Sequence, residues 1–459
     1  MNSSAFENDD SSVSLSSQDE SFQELLKQIT ETTVSWQHFL DMRTPRGATV
    51  ESTWRTIHEI NRSAGSVLPD FYPGATVFYR YSMEMVDSFY RLLLTLLKIA
   101  SKEVMSDFEN NRTFYRDTVR DTVCAAALDG FEVSEDAVVQ VLEGKLSNPA
   151  PEVRLAANAV QLLMDINASS ADTALNLDLL KGTYQAITQG VDLAALPSHR
   201  PIITCLVPHS ANEACTEPVF DERAQLAMDY LAGKNAERTD LGIMRHLLAP
   251  TLLNSFVPLA GLATLVGAVI SRIAVVTSGI PLLGKLSMLY ARYRWETSPQ
   301  KLDGVSFTPT DVVETQQQEE RLNMYDITLI QTVTAQLGLI QAQKLLRYAD
   351  FFSRQSEEVR RSLLENSWFN SRQRNILARA AKGRNRRFTI RYHQENHNIS
   401  YATARRDFQE LLDAGYLDSV FEGKTQVFMA SENLLDMLSV HADLLDEEHE
   451  YFDGFMTTN

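Results

Sequence analysis

The sequence predicts a mainly α-helical protein that carries a small basic α/β domain near its C-terminus. Two observations predict this. Apolar residues recur at helical spacing through much of the first 365 positions, as at Phe22, Leu25, Leu26 and Ile29. After Asn370 the order changes to helix, helix, turn, helix and hairpin. This lies in a block from Arg372 to Arg406 in which Glu395 is the only acidic residue. A chain of 459 residues is long enough for roughly two to four domains, and no repeat of fixed period is visible.

Composition narrows the function classes. At 44% hydrophobic and 22% charged residues the chain has the make-up of a globular protein with a sizeable core. A formal net charge of -18 argues against wholesale coating of nucleic acid, which needs Lys and Arg for phosphates. The local basic block is better evidence of an anion site than the total is. Cys124, Cys205 and Cys215 stand apart, with no CxxC pair, so neither a disulfide framework nor a Cys-ligated metal is expected. The nine histidines form no HExxH, and His199 and His209 near Cys205 and Cys215 fit no standard metal spacing. No cofactor is expected. The first residues lack a basic start followed by an apolar run, so no secretory signal and a cytoplasmic location are expected. Residues Leu247 to Ser271 are uncharged and long enough to span a bilayer. Pro250, Pro258, Asn254, Ser255 and Thr264 interrupt them, so a buried helix pair is expected and no membrane.

Taken in order, Met1 to about Asp19 is Ser-rich and acidic and reads as a disordered tail. Helices follow from Phe22 and over Val86–Ala100, the latter with Leu92, Leu93, Leu94, Leu96 and Leu97 at its heart. Asn148 to Pro151 breaks the chain, and Glu152–Asn167 reads as helix. Pro197 to Pro218 reads as a loop or hairpin. Helices are expected over Arg223–Leu231, over Leu241–Leu253, from near Gly261 to a stop at Gly279, and over a long stretch from Met324 to Glu365. The expected organisation is a tail at 1–20, a helical domain at 21–365, the basic domain at 366–430 and an acidic tail at 431–459.

Within the basic domain Ser371–Ala381 reads as a first helix and Arg384–Arg387 as a basic turn. Thr389 is placed to cap a second helix holding Tyr392 and His393. Asn396–Ile399 reads as a turn. Ser400 sits where an N-cap belongs, and Tyr401–Asp413 carries Ala404, Phe408 and Leu411 on one face. Gly415 stops that helix. Strands are expected over Tyr416–Phe421 and Thr425–Met429, joined by a turn at Glu422-Gly423-Lys424. That order is the order of a winged helix-turn-helix. The run from Ser400 to Phe408, with Leu411 and Gly415-Tyr416-Leu417, resembles the recognition helix and first wing strand of bacterial winged-helix regulators. The resemblance implies double-stranded DNA as partner. Arg386, Arg387, Arg391, Ser400, Tyr401, Thr403, Arg405, Arg406 and Lys424 are the candidate contacts. It also implies a homodimer on a palindromic site.

The middle of the chain resembles the Fic family. Ala125 to Phe131 is similar to the family's inhibitory-helix motif, Glu152–Ile166 to the helix after it, and Asn176 to Tyr184 to the segment leading to the flap. His199-Arg200-Pro201 falls where the flap would be, and Arg245 to Phe256 is similar to the helix before the active-site loop. The family's HPFxxGNGRxGR aligns with Val257 to Ala268, where only Pro258 and Gly267 survive. Val257 replaces the general base His, and Ala263, Leu265 and Ala268 stand at the Asn and Arg positions. Asp129 falls near the inhibitory Glu, and Ala125 replaces its Ser or Thr partner. The resemblance therefore implies a Fic-like fold without the usual adenylyl transfer, used for sensing a small-molecule or protein effector or for dimerisation. An adenylyl or other nucleotidyl transferase with an unfamiliar site, or a protein-interaction adaptor, is the alternative. Gly279 to Lys285 matches a P-loop until Leu286 takes the Ser/Thr place, and is set aside.

Overall fold

The computed structural model describes residues 20–42, 44–45, 47–69, 71, 75–102, 112–166, 172–196, 218–234, 242–257, 259–298, 300–382 and 386–438. The expected N-terminal tail before Glu20, the loop at 197–217 with His199, Cys205, His209 and Cys215, and the tail beyond 438 lie outside these residues. So do Pro258 and Arg384. Among the described residues the fold is mainly helical, with two short sheets. It divides into one unit of residues 1–94 and 117–341 and a second of 95–116 and 342–459.

The first unit is organised around the Ala263–Thr277 helix. Arg272 is its only charged residue, and Ala263 to Ile270 and Ile273 to Val275 are buried. A helix apolar on every side belongs inside a core rather than on a surface. It packs against Gly242–Leu247, Ala249–Phe256, Pro151–Asp165 and Leu177–Thr188. Gly267 permits the closest approach, because a Cβ there would meet the Pro250 Cα at 2.5 Å. The bilayer-length stretch is thus a pair of buried helices, and among the described residues no helix is long and apolar enough to cross a membrane. The expected Leu241–Leu253 helix is two helices, because Pro250 near the second start has no N–H to continue a ladder.

A three-stranded sheet flanks this core. Ser66–Val67 pairs antiparallel with Thr76–Tyr79, which pairs parallel with Met324–Asp326. The last strand corrects the sequence expectation of helix from Met324. Tyr325, 1% exposed, is held by strand pairing, and the helix begins at Thr328 and runs to Glu365. A smaller cluster of Leu25, Ile29, Phe39, Trp54 and Ile57 packs the N-terminal helices.

The Met83–Ala100 helix also differs from expectation. Met85, Phe89, Leu92, Leu96 and Ile99 face inward, while Leu94 and Leu97 are exposed. At about 100° per residue Leu94 and Leu97 point away from Leu92 and Leu96, so the leucine run divides between two faces.

In the second unit the Ser371–Ala380, Ile390–His397 and Tyr401–Asp413 helices pack on a sheet ordered Phe388–Thr389, Thr425–Ala430, Leu417–Glu422. The hairpin turns through Gly423 and Lys424 alone, since Glu422 pairs with Thr425. Gly423 has φ +62, which a two-residue hairpin loop asks of its first position. Its core takes in Phe351, Val359 and Leu363 on one side of 366–430 and Leu434 and Leu438 on the other.

Candidate nucleic-acid interface

The Tyr401–Asp413 helix is fixed first by its ends. Ser400, extended at φ -68 and ψ 151, accepts from the Thr403 N–H at 3.1 Å. Gly415 follows the last turn at φ +82, where a Cβ would be strained. The preceding helix closes on Asn398 at φ 49, so Asn396 and His397 are helical and the turn expected from Asn396 starts later. Asn, with a short polar side chain, tolerates that left-handed position.

Its inner face then locks it to two neighbouring helices. Ala404, Asp407, Phe408 and Leu411 are buried. The Phe408 ring stacks on Phe428 with centroids 4.5 Å apart and an interplanar angle of 16°. Asp407 is the hub. Its carboxylate accepts from Arg372 Nε at 2.7 Å, Arg372 Nη2 at 3.0 Å, Asn370 Nδ2 at 3.0 Å and His393 Nε2 at 3.1 Å. Burial would raise the Asp407 carboxyl, but Arg372, His393 and Asn370 hold it below the ordinary range. Burial lowers His393 despite its hydrogen bond to Asp407. Asn370 also caps Ser371–Ala380, accepting from the Arg372 and Gln373 N–H groups. Nothing in the sequence reading singled out Asn370, Arg372 or Asp407. The available signal was Asp407 itself, an acid three residues after Ala404 on the apolar face.

The outer face carries the candidate contacts. Tyr401, Arg405 and Arg406 are exposed on the helix. Thr403 is half-buried, and its hydroxyl is 2.9 Å from that of Ser400. Arg391 is exposed on the preceding helix and pairs with Glu395 at 2.9 Å. Arg387 pairs with Glu422 at the end of the hairpin strand. Both pairs are solvent-exposed, so exchanging a carboxylate for another anion costs little. Arg386 is half-buried, and Lys424 is exposed at the hairpin tip beside Phe421. Arg379 adds a cation that the sequence reading missed. It lies 5.3 Å from the Tyr392 ring centroid and donates to the Tyr392 hydroxyl at 3.4 Å.

The first unit places the other candidate loop differently. Val257 is buried, Leu259 bridges to Pro218, and Ala260 and Gly261 are both left-handed before the Ala263–Thr277 helix begins. At that helix start the Thr264 and Leu265 N–H groups donate to the two oxygens of Asp129, each at 2.9 Å. Asp129 is fully buried, and burial pushes its carboxyl up to about 7 against the pull of these hydrogen bonds. The amides that would greet an anion are thus satisfied from within. His246 contacts the Leu231 carbonyl at 3.2 Å, and burial lowers it to about 4. The P-loop-like run is a short 3-10 turn over Pro281–Lys285 after a helix, not after a strand. The chain matches no protein-family model, and comparison with curated proteins finds no significant match.

Proposed function

We propose that the protein is a DNA-binding regulator whose second unit is a winged helix-turn-helix. In this reading its helical unit is a Fic-like scaffold that senses an effector or supports dimerisation without adenylyl transfer. The observation that carries the reading is the two-sided Tyr401–Asp413 helix. One side is pinned by Asp407 and Phe408, and the other leaves Tyr401, Arg405 and Arg406 facing solvent. A rigid helix with free cations near its N-terminal half suits the major groove, where Arg reads guanine and hydroxyls reach phosphate. Arg387, Arg391 and Lys424 would flank it on phosphates. The absence of transfer chemistry is supported by Val257 at the general-base position and by Asp129 filling the helix start.

The test is binding of the full chain to duplex DNA by fluorescence anisotropy across a salt series, followed by selection from random sequence. The expected result is binding that falls steeply with salt and prefers one sequence. Arg405→Ala/Arg406→Ala should weaken the preferred site at least about tenfold and reduce the salt slope by up to about 2. No binding by the wild-type chain would sink the proposal. Phe421, 73% exposed next to the hairpin tip, favours a second reading in which this unit contacts protein. Partner binding lost in Phe421→Ser but kept in the arginine double variant would select it.

A further inference from the structure

We propose that the acidic segment 443–453 of this chain docks on the outer face of the Tyr401–Asp413 helix and competes there with DNA. Tyr401, Arg405 and Arg406 are exposed on that face, Tyr401 at 54%. The flanking cations have carboxylates beside them, Arg387 with Glu422 and Arg391 with Glu395. Arg405 and Arg406 have none among the described residues. Two adjacent guanidiniums on a fixed helix make a local positive field that draws an anion.

Two features select this segment as the occupant. The first is charge. Asp443, Asp446, Glu447, Glu448, Glu450 and Asp453 fall within eleven residues, and no Lys or Arg occurs from 439 to 459. Tyr451 and Phe452 lie among these acids and are suited to cover an exposed ring such as Tyr401. The second is the tether. Leu438, 2% exposed, belongs to the core that holds Phe408 and Leu411. Its neighbour Met437 lies against Gly415, with Cε 3.8 Å from where a Cβ would stand on the glycine. The segment therefore sets out from the C-terminal end of the same helix. Arg406 and Arg405 stand nine and ten residues before Gly415, about 15 Å back along the axis. Asp446 and Glu448 follow Leu438 by eight and ten residues, a reach of up to about 26 and 33 Å. The acids thus reach both arginines with chain to spare. A tether this short holds them at an effective concentration on the order of millimolar, which suits ion pairs that are individually weak. The docking stands on charge and tether, while its effect on DNA rests on the regulator reading above.

Phenylglyoxal footprinting of the full chain, read by mass spectrometry, tests the docking without DNA. Asp446→Asn/Glu447→Gln/Glu448→Gln should let Arg405 and Arg406 react at least about threefold faster than in the wild type. Arg360, exposed on the Thr328–Glu365 helix, should keep its rate. Raised salt should release the two arginines of the wild type as the substitutions do. Glu20→Gln/Glu24→Gln/Glu31→Gln, at exposed positions of the Glu20–Glu31 helix, makes the same change in net charge and should leave both arginines at the wild-type rate. Equal rates in the wild type and the 446–448 variant overturn the docking, and so does equal release by the Glu20–Glu31 control. Fluorescence anisotropy on random-sequence duplex DNA tests the competition. The 446–448 variant should bind at least about tenfold tighter at low salt, with the gain shrinking as salt rises. Released arginines with unchanged DNA affinity overturn the competition. If neither chain binds DNA while the wild-type arginines are protected, the regulator reading fails and the competition with it, and the docking stands.

Discussion

Asp129 in the first unit and Asp407 in the second are both buried carboxylates, yet they differ in charge behaviour. Asp129 receives its hydrogen bonds from two backbone amides of the Ala263–Thr277 helix, and among the described residues no cation shifts it. Its carboxyl sits at about 7 because burial outweighs two neutral donors. Asp407, at 2% exposure, is also shut from solvent but lies nearer the surface, and a guanidinium grips it with two N–H groups. It stays ionised to lower pH than an ordinary carboxyl. Burial alone therefore does not set the charge of an internal acid. Its depth and the nature of its donors set it together, and the two units use different donors for different purposes. In the first, a carboxylate closes off a helix start. In the second, it ties three helices together so that a cationic face is held in place.

The largest expected effect breaks the second unit through its core. Phe408→Ala removes a fully buried ring stacked on Phe428 and should destabilise that unit by about 3–5 kcal/mol. Hydrogen exchange by mass spectrometry should then show deprotection of residues 371–430 while 249–277 stay protected. Equal deprotection in both regions would mean that the two cores are not separable in this way. The next effect sharpens the comparison by removing the ionic hub. Asp407→Ala strands Arg372, Asn370 and His393, and should cost about 2–3 kcal/mol, moderated because the Arg372 side chain is 31% exposed. Asp407→Asn should recover part of the loss. A thermal melt that leaves Asp407→Ala at wild-type stability would show that Phe408 and its neighbours carry the unit without the network.

How much of this was legible depends on how local the determinants are. The cap at Ser400 and the stop at Gly415 are set by neighbours in sequence and lie where the residue types place them, while the turn expected over Glu422-Gly423-Lys424 tightens to Gly423-Lys424 because Glu422 pairs with Thr425. The Phe388–Thr389 strand was not legible. Two residues carry no periodicity, and they are a strand only because Phe428 and Val427 pair with them. The same holds for Met324–Asp326, whose partner lies about 250 residues earlier in the chain. Leu94 and Leu97 show a subtler limit. A leucine-rich helix announces amphipathicity, but which leucines face inward is decided by what packs against them. Asp129 was noticed for a resemblance. Its bond to the Ala263–Thr277 helix spans 135 residues and appears only in three dimensions.

The smallest effect, and the most discriminating, is the pH dependence of each unit. In the first, burial raises Asp129 from 3.8 to about 7 and Glu319 from 4.5 to about 7. The folded unit then holds protons that the unfolded chain releases near pH 4. Its stability is full below that point and is lost as pH rises through 7. Burial likewise raises Asp121 to about 7, and His58 is raised beside Glu319, so His246, lowered from 6.5 to about 4 by burial, works in the opposite sense against several groups. In the second unit Asp407 and His393 are both lowered. That contribution is present above the ordinary His value of 6.5 and is lost as pH falls. A one-unit step moves each group by at most about 1.4 kcal/mol, so the signal is modest, but its sign differs between the units. Hydrogen exchange at pH 5 and pH 7, corrected for the intrinsic chemical rate, should show protection of 249–277 falling and protection of 401–428 rising. Asp129→Asn should reduce the first response, leaving the part that Glu319 and Asp121 carry, and leave the second untouched. If both regions move in the same direction, backbone amides and a guanidinium do not separate these two carboxylates, and donor type is not what distinguishes the units.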